Sequence, residues 1–549
     1  MLRIVSLGGL GHIGGNMMAI ETSTAMVLID CGLLFPNEYQ PGVDYVIPDI
    51  SYVTERIKKL CGVVLTHGHE DHIGAIPYVW HQLGVPIYGS RFTLALVAAK
   101  LIEFPECKPC LNILNELETI SFGDIAITPI AVTHSIPGAF SLAIKTKTGL
   151  VIHTGDFKID NEPLDNRHTD IDALRAFGDA GVLALLSDST NIERVGHTYG
   201  EKLVERNLAD IIRDAPFRVI ATTFASNIFR LCSIINASQA AGRKVVLAGR
   251  SIEQNVQIAI EQGYLKVNSD TLLKPADFSL LPRSGVTVLA GGSQGEPYSS
   301  LSRIANARHA DINIEPGDRV ILSSRRIPGN DRAVAAVVNN LYRRGAEVID
   351  DRTIGVHASG HAFYDEQKAM LQWCRPQYFI PVHGEYRHLC RHAELARSCG
   401  VAAENVFILE DGEPIEFTQK GRKVIAYRGE SITAGFVYVD SKRVGEVGET
   451  VLRDRRMLAE TGIVLCIVVI DENGSIAAGP HVVTRGLMQE DDSQALVFQA
   501  TAEVKEALSN LEPHADQATR SNEVRLTLRR LIRREFDRRP LIIPVIMSI

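Results

Sequence analysis

Six residues limit this chain more than any others: His67-Gly68-His69-Glu70-Asp71-His72, directly after the apolar run CGVVLT. An extended segment sends alternate side chains to one side, so His67 and His69 face together. Asp71 and His72 follow as the chain turns into the helical pattern AIPYVWHQL, closed by Gly84. Four imidazole and carboxylate donors this close together can serve two ions, and these donor types suit zinc and manganese. Three more donors stand at the ends of apolar runs: His134 in AVTHS, Asp156 in HTGD and His383 in PVHGE. Open α/β sheets place their sites at such ends. The arithmetic assigns His67, His69 and His134 to one ion and Asp71, His72 and His383 to the other, with Asp156 as the bridge. Asp30, ending the run VLID, is placed to orient a ligand from behind.

A second feature competes. Residues 8–15, GGLGHIGG, contain G-x-G-x-x-G, the spacing of a dinucleotide-binding turn. Such a turn must open a helix. Here MMAIE and TAMVLID follow, which favour two strands of a hairpin, with a helix from Asn16 to Glu21 as the alternative. The glycine turn is therefore expected to line the metal cleft, with no nucleotide cofactor. GGSQG (291–295) matches the G-x-S-x-G nucleophile elbow, but Pro297 obstructs the helix that an elbow needs.

The formal net charge of −8, from 57 basic and 65 acidic residues, means that a nucleic-acid partner needs a local basic groove. No apolar stretch is long enough to span a bilayer, and MLRIVSLGG turns glycine-rich too early for a signal peptide. Nine scattered cysteines fit a reduced, cytoplasmic setting. Cys107 and Cys110 (CKPC) lack a second pair and read as packing residues.

Short apolar runs ending in polar residues fill positions 1–195. From 196 to 354, strands such as FRVIATTFA, RKVVLAG, VTVLAGG and RVILSS alternate with helical segments, the pattern of parallel βαβ units. Polar strand ends return at 355–390, as expected if the second domain is inserted into the first. Residues 431–452 are polar and poorly periodic. TGIVLCIVVID then reads as a strand, EVRLTLRRLIRREFDRR (523–539) as an amphipathic helix with seven arginines, and LIIPVIMSI as a final strand. Such arginine-rich faces are commonly just solvated.

The H-x-H-x-D-H motif with its later His, Asp and His resembles the metallo-β-lactamase fold. LLSDSTN, with Asp188, and GVHASGHA, with His361, resemble the acidic and histidine positions of the β-CASP nucleases. FASNI (224–228), GGSQGEP (291–297), IPGN (327–330), AGPHVVTRG (478–486) and RRPLIIPVI (538–546) resemble the ribonuclease J family over essentially the whole chain. The implied fold is a metallo-β-lactamase αββα sandwich (1–195 and 355–430). It carries an inserted α/β β-CASP domain (196–354), a linker (431–452) and a small α+β C-terminal domain (453–549). Two departures stand out: His12 where the family often has an acid, and Phe229 where a histidine is frequent.

The resemblance implies a metal-dependent ribonuclease of RNA processing and decay. It would work 5′→3′ from 5′-monophosphate ends, with some internal cutting. The cofactors implied are two divalent ions per subunit, Zn²⁺ with Mn²⁺ as the alternative. His361 is then the candidate general acid, oriented by Asp188. A 5′-phosphate pocket falls to His357, Ala358, Ser359, Gly360 and His361, completed by Ser226 and Asn227. Asp44 and Asp440 are weaker candidates for a structural cation. RNA is the implied partner; a homodimer or homotetramer is implied, with room for an RNA degradation complex and no membrane. The competing readings are a β-CASP DNA nuclease, another metallo-β-lactamase hydrolase, and a non-catalytic scaffold. Small thioesterases lack the insertion and the Asp188–His361 pair, and retention of all seven donors argues against a scaffold.

Overall fold

The computed structural model describes residues 1–37, 39–274, 281–327, 329–488 and 490–549; position 328 of the IPGN stretch lies outside the described residues. Strands buried on both faces read as near-continuous apolar runs, and the runs noted above are such strands. They build two sheets. The first runs, edge to edge, Lys423–Arg428, Ile415–Lys420, Leu2–Gly8, Met17–Glu21, Met26–Ile29, Leu60–Val64, Ile87–Gly89 and Leu111–Ile113. The second runs Tyr378–Val382, Ala184–Asp188, Leu150–His153, Phe140–Lys145, Ile125–Ala131 and Ile120–Phe122. Side chains of both sheets share one core, including Ile20, Val27, Val64, Leu142, Leu186, Ile380 and Phe417. Helices Ile171–Ala180, Tyr364–Cys374 and Tyr386–Ser398 pack on the outer face of the second sheet, with Leu174, Met370, Leu371 and Ala393 in that layer. This is the metallo-β-lactamase αββα sandwich.

Met17–Glu21 and Met26–Ile29 pair antiparallel as the expected hairpin. Asp188 ends the strand Ala184–Asp188, next to Tyr378–Val382, the strand that His383 follows; the two strands are parallel, with Asp188 opposite Val382. The sandwich therefore delivers its polar residues to one rim.

The insertion has its own sheet, ordered Leu272–Leu273, Lys244–Ala248, Val286–Ala290, Val219–Thr222, Arg319–Leu322 and Glu347–Asp350. All these pairings are parallel. Helices Glu201–Arg213, Ile228–Ala240 and Arg250–Glu261 bury Val204, Leu208, Ile234 and Val256 against it. Phe92 and Ile136 of the sandwich join this core. Ser293 lies in a turn, and the next helix begins only at Ser300. The elbow context is thus missing there. Gln294 instead clamps the loop beyond Arg319–Leu322, donating to Arg325 O and accepting from Ile327 N.

Residues 1–34 and 47–436 form one compact unit; residues 35–46 and 437–549 form another. In the second, Ile463–Ile470 lies between Ile476–Arg485 (antiparallel) and Leu541–Ser548 (parallel). Its strict burial alternation turns Val464, Cys466 and Val468 toward the helices Glu490–Ser509 and Gln517–Phe536. The arginine-rich helix ends at Phe536 rather than continuing to 539. Asp537 takes a left-handed conformation (φ +51°), so Arg538 and Arg539 lie beyond it. Helices Glu449–Thr461 and Glu490–Ser509 and strand Ile476–Arg485 go beyond the elements read from the sequence. No described helix is long and apolar enough to cross a membrane.

Candidate metal centre and its flanking loops

Backbone geometry gathers the donors. Leu60–Val64 runs out into Thr66-His67, and helix Glu70–Ile73 starts directly after His69. His134 lies just beyond Ile125–Ala131 and Asp156 just beyond Leu150–His153. His383, immediately after Tyr378–Val382, adopts φ +52°, and Asp30, immediately after Met26–Ile29, adopts φ +59°. Non-glycine residues rarely hold this conformation, and it clusters at functional sites. The glycine turn supports His383: Gly9 O accepts its N–H at 3.1 Å, and Leu10–Gly11 pairs in parallel with Gly384–Glu385.

Two donor groups result, sharing one atom. His67 Nε2 and His134 Nε2 each lie 3.1 Å from His69 Nδ1. Asp71 Oδ2 lies 3.6 Å from His72 Nε2 and 3.3 Å from His383 Nε2. Asp156 Oδ2 stands between the groups. It is 3.6 Å from His67 Nε2, 4.0 Å from His134 Nε2, 3.2 Å from His72 Nε2 and 3.6 Å from His383 Nε2. A tetrahedral ion with bonds of about 2.1 Å separates its ligands by about 3.4 Å, which is the spacing found here. Asp156 Oδ2 is buried yet accepts no hydrogen bond, an expensive state for a carboxylate oxygen unless a cation satisfies it.

The outer ring nitrogens point the same way. His72 Nδ1 donates to Asp30 Oδ2 at 2.8 Å, and His134 Nδ1 donates to Gly360 O at 2.6 Å. His67 Nδ1 lies 3.1 Å from Thr66 Oγ1, and His383 Nδ1 lies 2.6 Å from Thr190 Oγ1. Such partners fix ring orientation and leave the inward nitrogen as a lone-pair donor. Asp30 is itself held by Thr66, through its N–H at 2.7 Å and hydroxyl at 2.8 Å.

Charge states divide the two groups. Burial, reinforced by neighbouring imidazoles, pushes His67 and His134 well below the ordinary histidine range. Burial brings His69 down to about 4 against the pull of Asp71 and Asp156. These three are neutral, as ligation requires. For His72 and His383 burial acts the same way, but the carboxylates, Asp156 foremost, outweigh it and raise both well above normal. The same attraction holds Asp71 and Asp156 low despite their burial.

Beside the donors, His361 Nδ1 lies 2.9 Å from Asp188 Oδ2. Burial opposes its protonation, but Asp188 and then Asp156 raise its pKa. Ser359 Oγ accepts from Asn191 Nδ2 at 2.7 Å, and Arg325 reaches Asn191 Oδ1 at 2.9 Å. Gly360 must be glycine: an added Cβ would stand 2.7 Å from His134 Cε1. Ala358 is buried, and burial sends His357 to about 3, with its Nδ1 unpartnered. Asn227 caps helix Ile228–Ala240 through Arg230 N–H, so its side-chain oxygen is engaged; Ser226 precedes it in the same turn. Phe229 is buried. His12 Nε2 accepts Gly9 N–H at 3.1 Å and lies 3.6 Å from Asp411 Oδ2. In the second unit Asp44 accepts Ser441 N–H at 2.6 Å and Asp440 pairs with Arg455 at 2.6 Å. Among the described residues neither Asp44 nor Asp440 belongs to a cluster of potential metal donors. Cys107 is buried and Cys110 exposed, both as free thiols.

Thr190, Asn191, Arg325 and the buried Glu366 escaped sequence reasoning. Glu366 accepts N–H groups from Ile159, Thr198 and Phe363. Only the STN following Asp188 in LLSDSTN hinted at the first two.

Family models match along the chain: "Metallo-beta-lactamase superfamily" at residues 10–188, "Ribonuclease J, beta-CASP domain" at 216–341, "Zn-dependent metallo-hydrolase RNA specificity domain" at 352–409 and "Ribonuclease J C-terminal domain" at 450–549. Ribonuclease J2 of Bacillus subtilis is 36% identical, over 100% of this chain and 99% of the relative. Ribonuclease J 1 of Streptococcus pyogenes is 38% identical over 99% and 97%. Ribonuclease J of Corynebacterium glutamicum is 39% identical over 100% and 76%. A crystal structure of a protein of unknown function from Enterococcus faecalis V583 shares the fold, with a TM-score of 0.53 at 16% identity over 75% of this chain and 99% of that one.

Proposed function

The chain belongs to the ribonuclease J family, a metal-dependent ribonuclease with RNA as its substrate, and on that footing we propose that it degrades RNA 5′→3′ from 5′-monophosphate ends and also cuts internally. It does so with two divalent ions, Zn²⁺ or Mn²⁺. The observation that carries the reading is Asp156 Oδ2, a buried oxygen with no hydrogen-bond partner that is shared by two donor groups and lies 3.2–4.0 Å from four of their imidazole nitrogens.

His67, His69 and His134 would hold one ion, Asp71, His72 and His383 the other, and Asp156 both. Bound divalent cations supply Lewis acidity, lowering the pKa of a water and neutralising charge on a phosphodiester. The protein's own part is orientation and proton transfer. Asp188 fixes His361 through Nδ1, which leaves Nε2 to protonate the leaving 3′-oxygen. Asp188 also raises the pKa of that imidazole and so favours the protonated form that a general acid needs. The product carries a 5′-phosphate. His357, Ala358, Ser359, Gly360 and His361 would take a terminal monophosphate, with Ser226 and Asn227 assigned to complete the pocket. Arg325, reaching Asn191 beside Ser359, adds positive charge there. The sequence-based limits remain our assignment: 1–195 and 355–430 for the hydrolase domain, 196–354 for the insertion, 431–452 for the linker and 453–549 for the C-terminal domain. Assembly as a homodimer or homotetramer, a place in an RNA degradation complex and a cytoplasmic location belong to the same proposal.

The test compares one RNA bearing a 5′-monophosphate or a 5′-triphosphate, and the matching DNA, with Mn²⁺ or Zn²⁺. Mononucleotides released fastest from the monophosphorylated RNA are expected. Equal degradation of the three, or none with either metal, would contradict the reading.

A further inference from the structure

Between the metal centre and the inserted sheet lie charged side chains that the reaction does not use. Lys158, two residues after Asp156, has its ammonium 3.3 Å from Asp160 Oδ2 and 3.2 Å from Glu201 Oε1. Glu201 begins the first helix of the insertion, and its Oε2 accepts from Arg230 at 2.7 Å. The other terminal nitrogen of Arg230 donates to Ser323 Oγ and to Val356 O, both at 2.6 Å, and Ser323 Oγ donates to the same carbonyl at 2.6 Å. Val356 immediately precedes HASGH. At the opposite end Thr133, next to His134, donates its hydroxyl to Lys158 O at 2.7 Å. Arg230 is 0% and Lys158 1% exposed.

Burying so many charges costs desolvation that apolar residues of the same volume avoid, so stability alone does not account for the set. What it does is span. One end is rooted in the Asp156 loop through Lys158, whose own carbonyl accepts the Thr133 hydroxyl beside His134, and the other grips the start of the HASGH loop through Val356 O. The far end of that loop is held separately: His361 by Asp188, and His361 O by Asn191 at 3.2 Å. Disturbing the charged chain therefore moves His357 and Ala358 more than His361.

We infer that Lys158, Glu201, Arg230 and Ser323 are positioning residues: they fix the HASGH loop relative to the metal ligands and so favour end-directed over internal cleavage. The inference rests on the reading of HASGH as a 5′-phosphate pocket. Such a pocket selects ends only if its separation from the reacting phosphate is held to a fraction of an ångström.

The test uses Arg230→Lys and the milder Ser323→Ala in the full chain. One RNA is supplied linear with a 5′-monophosphate, linear with a 5′-hydroxyl, and circular. The ratio of kcat/KM for the monophosphorylated linear RNA to that for the circle should fall about tenfold in Arg230→Lys, mainly through KM. It should fall less in Ser323→Ala, and metal content should match the parent in both. Ratios within about twofold of the parent in both variants, or parallel losses on linear and circular RNA, would overturn the inference. Should Arg230→Lys fail to fold, Ser323→Ala, which loses one hydroxyl, decides. A parent that treats 5′-monophosphate and 5′-hydroxyl ends alike would sink the pocket reading and this inference together. A selective parent with unchanged variants would sink the inference alone.

Discussion

Asp188 accepts His361 Nδ1–H at 2.9 Å and lies 3.5 Å from His383 Nδ1, so one buried carboxylate faces two imidazoles. His361→Ala is expected to lower the single-turnover rate by about 10²- to 10⁴-fold, while metal content by mass spectrometry stays unchanged. Loss of metal in that variant would instead make His361 a ligand. Asp188→Asn supplies the pH test. Asp188 raises the pKa of His361, and a general acid works while protonated, so activity falls as pH rises through that pKa. Removing the carboxylate's charge lowers the pKa, and the alkaline limb of the rate profile should shift toward lower pH. A limb that stays put in Asp188→Asn would assign it to another group. At this scale the sequence was informative where chemistry is local. His67 to His72 announce themselves by spacing, whereas the Thr190–His383 contact joins residues far apart in the chain and leaves no pattern. The left-handed turns at Asp30 and His383 are equally invisible, because nothing in either residue type demands them.

Elements carry the next set of consequences. Strands ending in polar residues were readable from composition alone, since strands buried on both faces are nearly all apolar. The order of the strands was not, because pairing depends on contacts that sequence spacing does not encode. The C-terminal elements also stayed hidden in part. Ile476–Arg485 is largely exposed and has little apolar pattern, and the arginine-rich helix looked longer than it is because Asp537 resembles a helix-compatible residue until its φ is known. Where the sandwich meets the insertion, Glu201 gives a stability prediction. Burial would raise its pKa, but Lys158 and Arg230 outweigh that and hold it at about 2. Its folded value lies below its unfolded one, so its contribution is complete above the unfolded value of 4.5 and is lost as pH falls toward about 2. Glu201→Gln leaves two buried cations short of an anion and should cost about 3–5 kcal/mol in denaturant unfolding at neutral pH. A cost under about 1 kcal/mol, the range of exposed pairs, would show that the cluster is solvated.

The whole molecule comprises two compact units, and all seven donors lie in the one formed by residues 1–34 and 47–436. A ligand that binds only the folded state stabilises the unit that holds it, by about 4 kcal/mol at a thousand times its dissociation constant. Chelation should therefore lower the calorimetric transition of that unit and leave the transition of the C-terminal unit unmoved. Equal shifts in both would mean that metal binds elsewhere as well. With a net charge of −8, the chain attracts RNA only locally, and KM for RNA should rise with added salt as phosphate contacts are screened. If Asp156 Oδ2 joins two cation sites, the stoichiometry of bound metal depends on that one side chain. After dialysis against trace Mn²⁺ or Zn²⁺, the parent chain should retain two ions and Asp156→Ala fewer than one, because both sites lose a ligand together. An Asp156→Ala chain that still held two ions would show that Asp156 does not join the two sites.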